Sequence, residues 1–322
     1  MRIGKLDNDK LNSLILSKFT HIRSEVLCSP QIGVDCAAVD MGGRIAVLST
    51  DPITAAGKHI GALTVHVSCN DAAAAGAEPV GLLTTLLVPP TATEDDIAAV
   101  ADELSAAAKA ANVEIIGGHT EVTDAVTRMV TNAAVLAKAG ERGILTPGGM
   151  KEGDSIVLSK WACLEGTAII AGDFADRLKS VTPEEIEEAR GYINYVSVVK
   201  EGLFAYANGA HAMHDVTEGG VFGAAWEMSE ASNVGIEIYR DKVPVKPITQ
   251  KICDELNLNP MRLLSSGAML IACPDGEGLV NGLMEMGIHT AVIGKACGQG
   301  VRTSDGMTID PPGADELYKL YK

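Results

Sequence analysis

Hydrophobic and polar positions in the first half of the chain switch repeatedly between short apolar runs and longer periodic stretches. Residues 44–50 form a Val/Ile-rich run, the pattern of a strand, and 80–88 form a second run stopped by Pro89 and Pro90. Between them, 60–77 is Ala-rich and apolar at helical spacing. Thr93 is a good N-cap, and Glu94, Asp95 and Asp96 suit the first turn of a helix reaching Ala111. A strand is expected at 113–116, ending in Gly117-Gly118, and a longer one at 128–139. The order strand, helix, strand, helix, strand, strand suits a sheet with helices on one face.

Thr146-Pro147-Gly148-Gly149 interrupts this pattern, and a turn is expected at Glu152-Gly153-Asp154. The sequence therefore predicts two domains, 1–147 and 148–322. In the second, strands are expected at 155–159, 211–214, 235–239, 267–272 and 290–294. Helices are expected around 166–175, 183–207, 219–232 and 276–286. The predicted fold class is α/β (α+β), two mixed α/β domains of similar size.

Composition narrows the function. The 322 residues are 47% hydrophobic, enough for a sizeable core, and 26 Lys and Arg against 42 Asp and Glu leave a net charge of −16. Such a balance speaks against nucleic acid, whose phosphates require Lys and Arg, and against an anionic membrane surface. Aromatic residues make up only 4% of the chain, too few for base-stacking platforms. The seven Cys are scattered, with no C-x-x-C pair, and read as reduced thiols of a cytoplasmic protein. Arg2, Lys5, Asp7, Asp9 and Lys10 interrupt any apolar stretch at the start, so neither a signal peptide nor a membrane span is expected. There is no P-loop, no G-x-G-x-x-G after a strand, no H-E-x-x-H and no G-x-S-x-G. His211 and His214 lie in a strand-like run and are expected to be structural.

What remains is a set of carboxylates at element ends. Asp35 lies in GVDCAAV, Asp51 follows the first apolar run, and Asp215 follows a strand in HDVTEGG. Asn70 and Asp71 interrupt an apolar, Ala-rich helix, and Glu121 follows Gly117-Gly118-His119-Thr120. Taken singly, each aspartate could be a cap or turn residue. Asp71 fits that role least, because a carboxylate among alanines needs a partner, and several carboxylates together are most simply partnered by a divalent cation. Oxygen-rich sets of this kind suit Mg²⁺, through which acidic residues can hold an anionic triphosphate.

At these positions the chain resembles the AIR synthase-like (PurM-like) ATP-binding superfamily, most nearly hydrogenase maturation factor HypE and HypE-related proteins. The segments that carry the likeness are GVDCAAV (33–39), STDPITAAGKHIGALTVHVSCNDAAAAGAEP (49–79), GGHTEVT (117–123), LEGTAIIA (164–171), HDVTEGGVFGAAWEM (214–228) and LLSSGAMLIA (263–272). The resemblance implies two PurM-like domains and a homodimer built through the N-terminal sheet. It also implies Mg²⁺ and ATP bound in a cleft near that interface. By motif it assigns Asp35, Asp51, Asp71 and Glu121 to metal. Asn70, Gly117, Gly118, Thr120, Thr217 and Gly219 are assigned to the nucleotide, and Asp71, His119, Glu121, Asp215 and Glu218 to catalysis. Lys58, His59 and Lys160 are weaker candidates for phosphate or acceptor contacts.

The implied activity is Mg·ATP-dependent phosphoryl transfer or dehydration that activates an amide or carbonyl oxygen, in the setting of hydrogenase maturation proteins. Small-molecule kinase chemistry of the thiamine-monophosphate type and an inert nucleotide-binding scaffold are the alternatives. One departure from HypE stands out: Cys297 is the last cysteine, so the final segment carries no thiol. The acceptor is then expected to be a free small molecule or a thiol supplied by another protein.

Overall fold

The computed structural model describes residues 6, 8–31, 33–54 and 58–321. Arg2, Lys5 and Asp7, and residues 55–57 of the 49–79 segment, lie outside the described residues. The first half carries helix α1 (Asn8–Leu14) and strands β1 (Val26–Cys28), β2 (Ala37–Asp40) and β3 (Ile45–Ile53). Helix α2 (Ile60–Ala74), strand β4 (Ala77–Val88) and helix α3 (Glu94–Ala111) follow, then strands β5 (Glu114–Val122) and β6 (Val130–Ala139). Its sheet has the order β1-β2-β3-β6-β4-β5, antiparallel throughout except for the β4–β5 pair.

The second half contributes β7 (Ser155–Ser159), α4 (Leu164–Asp173), α5 (Pro183–Arg190), α6 (Val199–Ala207), β8 (Ala212–Val216) and α7 (Gly220–Ser232). These are followed by β9 (Ile236–Ile238), α8 (Pro247–Leu256), β10 (Ala268–Cys273), α9 (Gly276–Glu285), β11 (Thr290–Ala296) and β12 (Val301–Thr303). Its sheet runs β12-β9-β11-β7-β10-β8. Two mixed α/β halves are therefore observed, as expected.

The α3 cap forms as read: Thr93 Oγ1 accepts from the Asp96 amide while the Asp96 carboxylate accepts from the Thr93 amide. Two expectations differ. The strand placed at 113–116 continues through both glycines to Val122. Gly118 permits this, because a Cβ there would come within 1.9 Å of the Thr84 carbonyl oxygen in the parallel β4–β5 pairing. The helical stretch at 183–207 divides into α5, a 3-10 segment (Gly191–Tyr195) and α6.

Asn70 has a part in that division. Its side-chain N–H donates to the Val196 carbonyl and its Oδ1 accepts from the Val198 amide, both at 2.8 Å. The segment before α6 is thus tied to α2.

Helix α2 is apolar all round for a packing reason. One side lies on β3 and β6, and the other meets α6 and β8 of the second half. Ala72 and Ala73 share one core with Val199, Ala205, Met213 and Ile271. Strands β7 and β10 are likewise buried on both faces. Ile156, Leu158 and Leu270 point into the core beneath α7 and α8, while Val157, Met269 and Ile271 face the junction. The seven cysteines are unpaired, six of them buried, and no described helix is long and apolar enough to cross a membrane.

Candidate active site

The junction gathers carboxylates from three directions. Asp35 lies two residues before β2, Asp51 lies in β3, and Asp71 projects from α2 over that strand. Asp215 comes from β8, whose end turns through Thr217-Glu218-Gly219 into α7. Together with Glu165, Ser266 and an apolar wall of Ile53, Val67, Ile169 and Leu264, these residues line a cleft of about 130 Å³. Among the described residues, no Lys or Arg lines it.

The electrostatics follow from that crowding. Burial, reinforced by Asp215, Asp51 and Asp35, pushes the Asp71 carboxyl well above the usual carboxylate range. Ser49 Oγ lies 2.5 Å from Asp71 Oδ2 and 2.8 Å from the Asp35 carbonyl oxygen, and its single proton can serve only one of them. Burial also raises Asp215, opposed by its hydrogen bond to His214 and helped by Asp35 and Asp51. Asp215 Oδ2 is buried and has no hydrogen-bond partner among the described residues. Four carboxylates that repel one another, one with a bare buried oxygen, form a donor set suited to a hard divalent cation. The residues present therefore fit Mg²⁺.

His214 is a residue that sequence reasoning set aside as structural. One ligand atom each of His214, Asp35 and Asp215 come within 4.8 Å of one another. Its Nδ1 is 2.8 Å from the Asp215 carbonyl oxygen and its Nε2 is 2.9 Å from Glu227 Oε2. Burial alone would depress its pKa, but the bonds to Asp215 and Glu227, with Asp35 nearby, outweigh burial and raise it well above the ordinary histidine value. Both ring nitrogens are engaged, so His214 acts as a cationic partner for the acidic group.

Several sequence-predicted residues are placed elsewhere. Asp51 pairs with Ala133 in β6, Ala133 with Thr84 in β4, and Thr84 with Gly118 in β5. Two strands therefore separate Asp51 from β5, about 14 Å at the usual interstrand spacing. Within one chain, Gly117, Gly118, His119, Thr120 and Glu121 stand on an exposed edge strand, not in the cleft. The expectation that Glu121 shares a metal with Asp35, Asp51 and Asp71 in the same chain is thereby corrected. His119 and Glu121 instead form a solvent-exposed pair at 3.7 Å.

Asn70 is fully buried, with its amide engaged by Val196 and Val198, so it positions the junction and presents nothing to a nucleotide. The Gly219 amide donates to Asp315 Oδ2 at 2.8 Å, which removes it as a phosphate donor. Lys160 is sequestered in a buried ion pair with Glu201 and donates to the Ser197 carbonyl at 2.6 Å. Asp35, Asp51, Asp71, Asp215, Thr217 and Glu218 do converge on the cleft.

Sequence reasoning missed Glu165, although it carries the same signal as Asp71: a carboxylate inside an apolar, small-residue run, Cys163-Leu164-Glu165-Gly166-Thr167-Ala168.

Two α/β halves meeting at an acidic cleft define a member of the AIR synthase related family, and the chain belongs to it. The family's N-terminal domain matches residues 33–139 and its C-terminal domain matches residues 151–305. The chain is similar to a putative hydrogenase expression/formation protein of Methanocaldococcus jannaschii, 30% identical over 81% of this chain and 79% of that one. It is also similar to the carbamoyl dehydratase HypE of Bradyrhizobium diazoefficiens, 29% identical over 82% and 78% respectively.

Among solved structures, a hydrogenase maturation protein HypE in complex with ATP superposes with a TM-score of 0.73 at 21% identity, covering 98% of this chain and 97% of that one. The thiamine monophosphate kinase of Aquifex aeolicus gives 0.73 at 19%, covering 97% and 100%. At these identities the structural likeness is one of fold.

Proposed function

We propose that this chain is a HypE-related, Mg²⁺- and ATP-dependent enzyme that activates an amide- or carbonyl-type oxygen by phosphoryl transfer, acting in a hydrogenase-type maturation process. The observation that carries the reading is the convergence of Asp35, Asp51, Asp71 and Asp215 on one cleft, with a buried unpaired oxygen on Asp215. Relatives named for hydrogenase formation and carbamoyl dehydration, and an ATP-bound neighbour of the same fold, agree with it.

Those four carboxylates would hold the magnesium, whose chemistry there is to neutralise charge on the transferring phosphoryl group. His214 limits the excess negative charge on the inner side. Ile53, Val67, Ile169 and Leu264 give the cleft an apolar wall beside the carboxylates. Glu218, fixed by the Tyr318 hydroxyl at 2.7 Å, and Thr217 border the same cleft from the α7 side.

The molecule acts, in this reading, as a homodimer built through the N-terminal sheet. One face of that sheet packs on α2 and α3, while Leu48, Val80, Leu83 and Leu136 are exposed on β3, β4 and β6, beside Ile116 on β5. An uncovered apolar face of this kind marks an association surface. Pairing through it brings edge strand β5, with His119 and Glu121, against a second copy.

The test is ADP release from Mg·ATP with a panel of acceptors. A carbamoylated thiol or a primary carboxamide should stimulate release in wild type and not in Asp71→Asn. Stimulation by thiamine monophosphate alone would assign kinase chemistry instead.

A further inference from the structure

Glu165 opens α4 and is 6% exposed, yet it reaches the cleft. Its position is set by the backbone. Gly166 donates its amide to the Leu264 carbonyl at 3.1 Å, and a Cβ on Gly166 would come within 2.7 Å of that oxygen. The Cys163 amide, in turn, donates to Ser265 Oγ at 2.7 Å. The start of α4 is therefore pressed onto residues 263–266, and Ser266 hydrogen-bonds the Glu165 carboxylate through its side chain and its backbone. The other oxygen, Oε2, is buried with no hydrogen-bond partner among the described residues.

A first-turn glutamate is ordinarily solvated and gains from the helix dipole. This one has given up its water and left one oxygen bare, at the C-domain side of the cleft.

Resting on the function proposed above, we infer that Glu165 is a catalytic proton acceptor, taking through Oε2 the proton released by a neutral acceptor as it is phosphorylated. The acceptor oxygen attacks the γ-phosphorus, so an O–P bond forms. The bond from phosphorus to the bridging oxygen breaks, and its electron pair leaves with ADP. The proton lost by the acceptor, from its own O–H or from an adjacent amide N–H, goes to Glu165. The substrate class is thus a neutral group with one dissociable proton, not a second phosphate, which this acidic end would repel.

The environment suits that exchange. Burial raises the carboxyl to about 7, against the Ser266 bonds that lower it and with Asp315 and Glu218 adding repulsion. A group titrating near neutrality can take and return a proton within a cycle. Glu218 comes from the β8–α7 turn and Asp315 from the C-terminal segment, and neither brings a positive charge.

The experiment measures ADP release from Mg·ATP, with water as the acceptor, from pH 5 to 9 on wild type, Glu165→Gln and Ser266→Ala. Mg·ATP affinity and Tm are recorded in parallel. Wild type should gain activity through about pH 7. E165Q should bind Mg·ATP as wild type does but lose about 10²-fold or more in turnover, together with the pH limb. S266A removes a bond that favours the charged carboxylate, so its limb should persist and move to higher pH. A merely structural glutamate would not move it.

Unchanged rate and limb in E165Q, an unshifted limb in S266A, or a wild type that binds Mg·ATP and releases no ADP would each overturn the inference alone. A wild type that binds no Mg·ATP would overturn the proposed function, and this inference with it.

Discussion

Asp71 and Glu165 share one chemical situation, a buried carboxyl surrounded by small apolar neighbours, and their different partners give them different duties. Asp71 faces three other aspartates, so replacing it with the isosteric amide removes repulsion along with a ligand. Asp71→Asn should leave Tm unlowered in EDTA while removing the rise in Tm that Mg·ATP gives wild type; calorimetry with and without ligand checks both. Glu165 allows a signed pH prediction. Its folded pKa of about 7 exceeds the ordinary 4.5, so the native state holds the proton more tightly than the unfolded chain. Stability from this group is fully present below pH 4.5 and is lost as pH rises through 7, on the order of 3 kcal/mol. Wild type should therefore lose stability relative to Glu165→Gln between pH 5 and 8, as read by denaturant titration at each pH. The Asp71 signal was legible in sequence because a lone carboxylate stood in a predicted helix. Glu165 carried the same signal but sat at a helix start, where a solvated first-turn acid is the ordinary expectation.

At the scale of elements, the apolar runs and the Thr93 cap located most strands and helices, because buried strands and amphipathic helices impose their periods on sequence. Three features were not legible. The β5 strand passes through Gly117-Gly118 because of a clearance against Thr84, which is a tertiary fact. The stretch 183–207 is interrupted before α6, where Asn70 claims the backbone at 196 and 198 across the domain junction. The separation of β5 from β3 follows from the strand order, which puts β6 and β4 between them; local pattern does not encode that order. Asn70 supplies a test at this scale. Asn70→Ala leaves the Val196 carbonyl and the Val198 amide buried and unpaired, each costing about 1–3 kcal/mol. The variant should unfold at lower denaturant, with weaker Mg·ATP binding as a consequence of a loosened junction.

For the whole molecule, the charge of −16 argues against nucleic acid and an anionic membrane surface but not against a polyphosphate, since aspartates gathered around a divalent cation can hold one. Association through the N-terminal sheet gives a further prediction: a charge placed on its exposed face, as in Leu83→Lys or Leu136→Lys, should convert a dimer to monomers in sedimentation velocity while Tm of the isolated chain changes little. The central claim is that the four-aspartate cleft holds Mg·ATP, and titration calorimetry of ATP into wild type and Asp71→Asn, each with Mg²⁺ and with EDTA, tests it most directly. The account predicts Mg²⁺-dependent binding in wild type that weakens at least tenfold in the variant; binding equal in the two proteins, or independent of Mg²⁺, would contradict it.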